Sequence, residues 1–347
     1  MKDKILIIGG HGAVGRIIIE KLADYGLKNI IIGGRNESEM QKFIKTDAPH
    51  VTYRIINIHQ GIDEKELQDI KLVVMCVDQL DTRLVSYLVA KGIDYIDITA
   101  NSEFLLQISN IENQSNASVI TSVGLAPGLT NLMVHQYLQT SSEKKVAIDI
   151  LLGAGDSHGK AAVEWLFKTI DQPYQIETHG EKYKNFSFGR KVVFPPQLNK
   201  CMYNFNFSDQ FILRKEFPDV DITTYLGFDL NFLSNFLHTM QKRNWLKLLE
   251  SKTAISILQK VMSRKIMGSD IFAVKVSNGE TNDPNMLSLY GYNEREVTAE
   301  VAAYIIKKTY TYLEKIGVKT IADVCTLSEI IPHLTSVKEL IQHKNPL

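Results

Sequence analysis

The stretch Lys4–Gly15, KILIIGGHGAVG, constrains the fold more than any other part of the chain. An apolar run breaks into glycines and continues as the helical pattern Arg16–Tyr25, which is the order of a strand, a tight turn and a helix. Gly10, Gly12 and Gly15 stand at G-x-G-x-x-G spacing. Glycines so placed let the turn be tight, let backbone approach a pyrophosphate and let the helix pack closely on the strand, while the helix amino terminus points N–H groups at the phosphates. Gly9, Gly12 and Gly15 also fit G-x-x-G-x-x-G, so the glycine that makes the first turn stays open. The bland alternative is a glycine turn kept only for packing. The strand-to-helix junction favours dinucleotide binding.

The second strand sharpens the cofactor. A fold of this kind that prefers NAD usually ends that strand with an acid that holds the ribose hydroxyls and repels a 2′-phosphate. Here Asn29–Ile32 runs into Gly33, Gly34, Arg35 and Asn36, a guanidinium and an amide where the acid would stand. The planar fork of arginine suits a phosphate. The expectation is NADP(H) rather than NAD(H), against the alternative that Arg35 is a solvated loop cation.

Bulk properties narrow the class. A chain of 347 residues is long enough for about two domains. Lys plus Arg equals Asp plus Glu at 39 each, so nothing in the charge favours nucleic acid or an anionic membrane as partner. Cys76, Cys201 and Cys325 are far apart and show no C-x-x-C spacing, which argues for a reducing compartment and against a disulfide framework or zinc site. The first apolar run is too short for a signal peptide and no later run approaches a membrane span. The expectation is a cytoplasmic protein with a small-molecule substrate.

Strand-like and helix-like stretches alternate through the first third, over Tyr53–Asn57, Ile62–Asp69, Leu72–Val77, Thr82–Lys91, Asp94–Ile98 and Ser118–Thr121. Such alternation predicts a Rossmann-type α/β fold with a doubly wound parallel sheet. Ligands of such sheets lie beyond the carboxyl ends of the strands. That places Cys76, Val77 and Asp78, then Asp97 and Thr99, then Gly124 along the cleft, with Asn57 and Ile58 near the adenine. After Gly124-Leu-Ala-Pro-Gly128 the alternation stops, which sets the domain crossing there. A second α+β domain on a mostly antiparallel sheet is expected over 129–296, from β-forming segments at Val146–Leu152, Tyr183–Phe188, Met202–Phe207 and Ile271–Val276. Helices are expected at Lys160–Ile170 and Asn244–Lys265. The segment 297–347, led by the helix Thr298–Leu313, is expected to return to domain 1–128.

Four separated motifs, GGHGAVG, LVVMCVDQ with LVAKGIDYIDIT, ITSVGLAPGLTNLM and LYGYNEREVTAEVAAYII, make the chain resemble the saccharopine dehydrogenase-like oxidoreductases. The resemblance covers the first third well and the returning helix, and leaves about Asp156–Asp270 unmatched. It implies an NADP-binding Rossmann domain with an inserted α+β domain, and a homodimer. Gly10, Gly12, Ala13, Val14 and Gly15 match the dinucleotide turn, Arg35 and Asn36 the 2′-phosphate end, Gly124, Pro127 and Gly128 the crossing, and Asp97 and Thr99 the strand end facing the nicotinamide. Many relatives carry Gly-Pro where this chain has Val77-Asp78-Gln79.

The family commonly makes or breaks a carbon–nitrogen bond at an amino acid, so the resemblance implies imine reduction or amine oxidation. That chemistry needs a proton-transfer group and a cation for substrate carboxylates. His158 is the candidate for the first and Lys160 for the second, since GDSHGK follows an apolar strand and precedes a helical pattern. A loop or capping histidine is the alternative. Asp97 is a catalytic candidate or a group that caps or orients backbone. Reduction of a C=C or C=O bond, and a non-catalytic NADP sensor, are the competing functions. Tyr87 with Lys91 and Tyr304 with Lys308 both fit Tyr-x-x-x-Lys, and the duplication weakens both. No histidine clustering supports a metal. Tyr203, Phe205 and Phe207 alternate as core aromatics of a strand would.

Overall fold

The computed structural model describes residues 2–112, 117–155, 166, 169–175, 182–195, 197–246, 268–312, 314 and 317–342. The chain divides into two compact units, Met1–Leu132 with Arg295–Thr335, and Met133–Glu294 with Ser336–Leu347.

In the first unit β1 (Lys4–Ile8), α1 (Ala13–Asp24), β2 (Ile30–Gly34), α2 (Glu37–Thr46), β3 (Thr52–Ile55), β4 (Ile70–Met75), α3 (Arg83–Ala90), β5 (Asp94–Asp97), α4 (Ser102–Ser109) and β6 (Ser118–Thr121) follow one another. With a late strand, Gly317–Thr320, they form a parallel sheet in the order Gly317–Thr320, β6, β5, β4, β1, β2, β3. Strands buried on both faces read as continuous apolar runs, and Ile5 to Ile8 are at most 2% exposed. On α1 the stripe Ile18, Ile19 and Leu22 is buried, at roughly 1.5–3 kcal/mol for each side chain. Strand order reverses at β1, whose neighbours are β2 and β4, and that switch point opens the crevice where such folds take ligands.

The details depart from the sequence pattern in places. The link expected over Ile62–Asp69 is only a 3₁₀ turn, Glu64–Leu67, and β3 stops at Ile55 instead of Asn57. The helix Ser102–Ser109 was not evident in the pattern. It starts because the Asn101 side chain accepts the N–H groups of Glu103 and Phe104, which satisfies orphan donors of its first turn. The long helix Glu294–Tyr312 buries Val297, Val301, Ala302, Ile305 and Ile306 completely. It is tied to the first unit by Lys21 and Glu300 at 3.1 Å and by the Tyr310 hydroxyl on the Asp3 carbonyl at 2.6 Å.

The second unit holds β7 (Lys145–Leu152), β8 (Pro173–Gln175), β9 (Lys182–Lys184), β10 (Gly189–Phe194), β11 (Leu198–Asn204), β12 (Asp221–Phe228), β13 (Ile271–Ser277), β14 (Leu287–Tyr292) and, after the first-unit strand β15 (Gly317–Thr320), β16 (Val337–Gln342). Its main sheet runs β10-β11-β12-β7-β13-β14-β16, with β7 and β12 parallel and the other neighbours antiparallel. The last stretch of chain is therefore not wholly helical. β16 adds an edge strand to the second sheet because the outer side of β14 otherwise presents unpaired backbone groups. Two helices, Ser208–Glu216 and Asn231–Lys242, were not expected from the sequence. Strand β11 ends at Asn204, yet Phe205 and Phe207 are buried, so these aromatics are core although they are not strand. The expected helices Lys160–Ile170 and Asn244–Lys265 fall almost wholly outside the described residues. No helix among the described residues is long and apolar enough to cross a membrane.

Candidate functional site

The turn after β1 is shaped by backbone contacts that tolerate no side chain. Gly9 takes φ +80°, and a methyl there would come 2.6 Å from Val77 Cγ1, so Gly9 makes the first turn that the sequence left open. A methyl at Gly15 would stand 2.6 Å from the Gly10 Cα and 2.8 Å from the carbonyl oxygens of Gly9 and Gly10. Helix α1 can approach the strand this closely only with glycine at that position. Gly10 is hemmed in by the Ile7 carbonyl, Ile19 and Ile32 at 3.1–3.3 Å. Gly12 differs from these: it is exposed, has an ordinary φ of −75°, and meets only the Gly9 carbonyl at 3.1 Å. It caps α1 without a side chain, and the first turn carries no acidic residue. The leading N–H groups, where Ala13 and Val14 begin the helix, thus receive no capping side chain, and Gly12 and Ala13 are exposed. An anion such as a pyrophosphate satisfies such donors, and the residues present fit that group.

Beside this mouth, β2 ends in the buried pair Gly33 and Gly34 and turns out at Arg35 and Asn36. Arg35 is exposed and makes no ion pair among the described residues. Asn36 has a further task. Its Oδ1 caps α2, accepting from the Glu39 N–H at 3.3 Å and from the Ser38 hydroxyl at 3.1 Å, so only its amide N–H groups are left for a phosphate. The His11 ring lies on Gly34, whose added Cβ would meet its Cε1 at 2.8 Å.

On the other side of the switch point a cleft of about 310 Å³ opens between the loop after β3 and the loop after β4, lined by Ile58, His59, Gln79, Leu80, Arg83 and Tyr87 among others. Ile58, expected near an adenine, lines this cleft. Asn57 does not line this cleft; its side chain accepts from the His59 N–H at 3.2 Å within its own loop.

The carboxyl ends of β4 and β5 are joined by a buried polar cluster. Asp97 is completely buried. Its Oδ1 accepts the Thr99 N–H at 2.7 Å, and its Oδ2 accepts the Tyr95 hydroxyl and the Gln79 amide, the latter at 3.3 Å. Gln79 also donates to the Tyr95 hydroxyl at 2.5 Å. Burial pushes the Asp97 carboxyl up to about 7, with the Asp78 charge adding and the Tyr95, Thr99 and Gln79 hydrogen bonds opposing. Burial, with the Asp97 charge adding, also pushes the Cys76 thiol up to about 12. Asp78 is exposed and accepts from the Thr99 hydroxyl at 3.3 Å, and Val77 covers Gly9. With no exposed surface and its oxygens occupied, Asp97 organises the strand ends and orients backbone. The sequence assigns no role to Tyr95 or Gln79. The available signal was period two in Tyr95-Ile96-Asp97, which puts the hydroxyl and the carboxyl on one face.

Residues 5–123 match the saccharopine dehydrogenase NADP binding domain family. The first third of the chain carries a saccharopine dehydrogenase NADP binding domain. The fold of the chain is similar to that of apo histidine-tagged saccharopine dehydrogenase (L-Glu forming) from Saccharomyces cerevisiae, with a TM-score of 0.62 at 12% identity over 98% of this chain and 99% of that one. The amine dehydrogenase from Mycobacterium smegmatis is less alike, with a TM-score of 0.47 at 10% identity over 93% of this chain and 96% of that one. No curated protein is a significant sequence match. The saccharopine dehydrogenase-like domain accounts for the strand, turn and helix at the start of the chain, and makes the scaffold that of an NADP-dependent oxidoreductase.

Of the remaining expected residues, His158 and Lys160 lie outside the described residues. Gly124 is extended and packed, with a methyl there meeting the Pro127 carbonyl and Thr298 Cγ2 at 3.3 Å; the Thr298 hydroxyl accepts the Leu125 N–H at 3.4 Å. The second unit carries a charged group that drew no attention in the sequence. Asp149 on β7 is completely buried, with Arg190 Nε at 3.8 Å and the buried Lys275 opposite it on β13. Burial holds the Asp149 carboxyl up at about 6 against the pull of both cations.

Proposed function

We propose that the chain is an NADP(H)-dependent oxidoreductase that transfers a hydride at a carbon–nitrogen bond of an amino-acid-derived substrate, reducing an imine or oxidising an amine. The observation that carries the reading is the uncapped, acid-free amino terminus of α1 behind the Gly9–Gly15 turn, in a domain of NADP-binding family. The cofactor supplies the hydride when bound. In this reading Gly10, Gly12, Ala13, Val14 and Gly15 hold the pyrophosphate, Arg35 with the Asn36 amide holds the 2′-phosphate, and Ile58 lies against the adenine. Cys76, Val77, Asp78 and Thr99 form the wall beside the nicotinamide, kept in place by Asp97 from behind. His158 is assigned proton transfer to or from nitrogen and Lys160 a substrate carboxylate, both on sequence grounds. The carbon–nitrogen assignment is drawn from the resemblance to saccharopine dehydrogenases. A homodimer and a cytoplasmic setting belong to the same reading.

The test is titration with NADPH and NADH by nucleotide fluorescence, followed by turnover with a panel of 2-oxo acids and aldehydes, each with and without amines. Amine-dependent NADPH oxidation that His158→Ala reduces far more than it reduces NADPH affinity supports the assignment. Turnover with enoyl or carbonyl acceptors that ignores the amine replaces it with a C=C or C=O reductase. Tight NADPH binding without turnover replaces it with a sensor.

A further inference from the structure

The His11 side chain sits at a seam that the cofactor reading leaves unused. It projects from the glycine turn, between Gly10 and Gly12, yet its ring lies on the end of β2. An added Cβ at Gly34 would stand 2.8 Å from His11 Cε1 and 3.3 Å from its Nδ1, so glycine at 34 leaves room for the ring. Gly34 immediately precedes Arg35. The Nδ1 atom is buried and has no hydrogen-bond partner among the described residues, a state that calls for an explanation in a folded protein. The charged groups facing the ring are Glu39 of α2, with Oε2 at 3.7 Å from Nε2, and Arg16 of α1, whose Nε donates to the His11 carbonyl at 2.6 Å. Met40 of α2 packs over the same glycine. Burial and Arg16 hold the imidazole below its ordinary value while Glu39 opposes them, so the free protein carries it neutral at pH 7.5.

We propose that His11 is a second specificity-determining residue for the 2′-phosphate of NADP(H), taking up a proton when the phosphomonoester dianion enters beside Arg35. The proposal rests on the cofactor reading above and adds a linkage to it. A dianion brought to this seam favours the imidazolium, which then lies between the phosphate and Glu39. NADH lacks the group and leaves the imidazole neutral. Preference for NADP(H) over NAD(H) is therefore expected to weaken as pH rises, by at most about tenfold per pH unit for one linked proton.

The experiment is calorimetric titration of NADPH and NADH in buffers of different ionisation enthalpy at pH 7.5, where the 2′-phosphate is already mostly dianionic. Wild type is expected to take up a substantial fraction of a proton with NADPH and close to none with NADH, and His11→Gln is expected to abolish the difference. Ring-nitrogen NMR of wild type gives a readout that does not depend on the variant folding. The His11 signals are expected to move to the imidazolium position with NADPH and to stay with NADH. Equal proton uptake in wild type and His11→Gln, or a ring that stays neutral with NADPH bound, overturns the role of His11 and leaves the cofactor reading standing. Failure of wild type to bind either nucleotide removes the cofactor reading and this proposal with it.

Discussion

Gly12 and Gly15 stand three residues apart in one turn, and alanine at each is expected to fail in a different way. A methyl at Gly15 meets three backbone atoms at 2.6–2.8 Å, where ordinary contact begins near 3.4 Å, so helix or turn must move by more than half an ångström. Overpacking of this kind costs about 1–3 kcal/mol, which for a domain of this size lowers the melting temperature by roughly 3–10 °C. A methyl at Gly12 meets one carbonyl oxygen at 3.1 Å with an ordinary φ, and its main cost is the poorer capping by alanine, within about 1 kcal/mol. In the proposed function Gly12 nevertheless stands where a pyrophosphate comes close to backbone. Gly12→Ala should therefore weaken NADPH binding by at least about tenfold, or about 1.4 kcal/mol, while melting close to wild type. Circular dichroism melts without cofactor and NADPH fluorescence titrations measure the two quantities separately. Wild-type affinity in Gly12→Ala would refute the pyrophosphate placement, and a wild-type melt in Gly15→Ala would refute the packing argument.

Asp97 has a folded value of about 7 against an ordinary 3.8, so between these pH values the folded state binds more protons than the unfolded one and its contribution to stability falls as pH rises. Relative to Asp97→Asn, wild type should lose about 3 kcal/mol between pH 4 and pH 7 and little beyond about pH 8; a difference in urea midpoints that is flat over that range would contradict the burial argument. Arg35→Asp should weaken NADPH binding at least about tenfold and leave NADH less affected, and an unchanged ratio of affinities would remove Arg35 from the 2′-phosphate site. Asp149→Leu leaves Arg190 and Lys275 without their buried counter-charge and should cost about 3–5 kcal/mol. Urea unfolding followed by tryptophan fluorescence, with Trp245 in the second unit, checks this, and a loss below 1 kcal/mol would mean that the cations reach solvent on their own.

Legibility in the sequence followed how local the determinant is. The β1 turn was readable because the apolar run, the glycines and the helical pattern are contiguous, and because close backbone approach demands glycine whatever surrounds it. The parallel sheet of the first unit was readable from alternation of strand and helix patterns, and the loss of an acid after β2 was readable at a single position. The short elements were not. Gly317–Thr320 pairs with Ser118–Thr121 from across the sequence, and nothing in GVKT marks it as a strand. VKELIQ, with apolar residues at Val337, Leu340 and Ile341, has a helix-like period, yet it is held as β16 by the free edge of β14.

The sequence by itself determined the Rossmann-type domain and the position of the glycine turn, and it supplied the ground for proposing a 2′-phosphate site, because each depends on residues adjacent in the chain and on the conformations those residue types can adopt. Only the tertiary structure decided that Gly9 makes the first turn, since Val77 arrives from the loop after β4 to exclude any side chain there. It likewise decided that Asn36 spends its carbonyl oxygen on a helix cap, and that Asp97 is sealed behind Tyr95 and Gln79. The placing of His11 over Gly34 and of Asp149 between Arg190 and Lys275 has the same origin. Burial and partnership join residues far apart in the chain, and protonation, desolvation and hydrogen-bond satisfaction depend on that company more than on residue type.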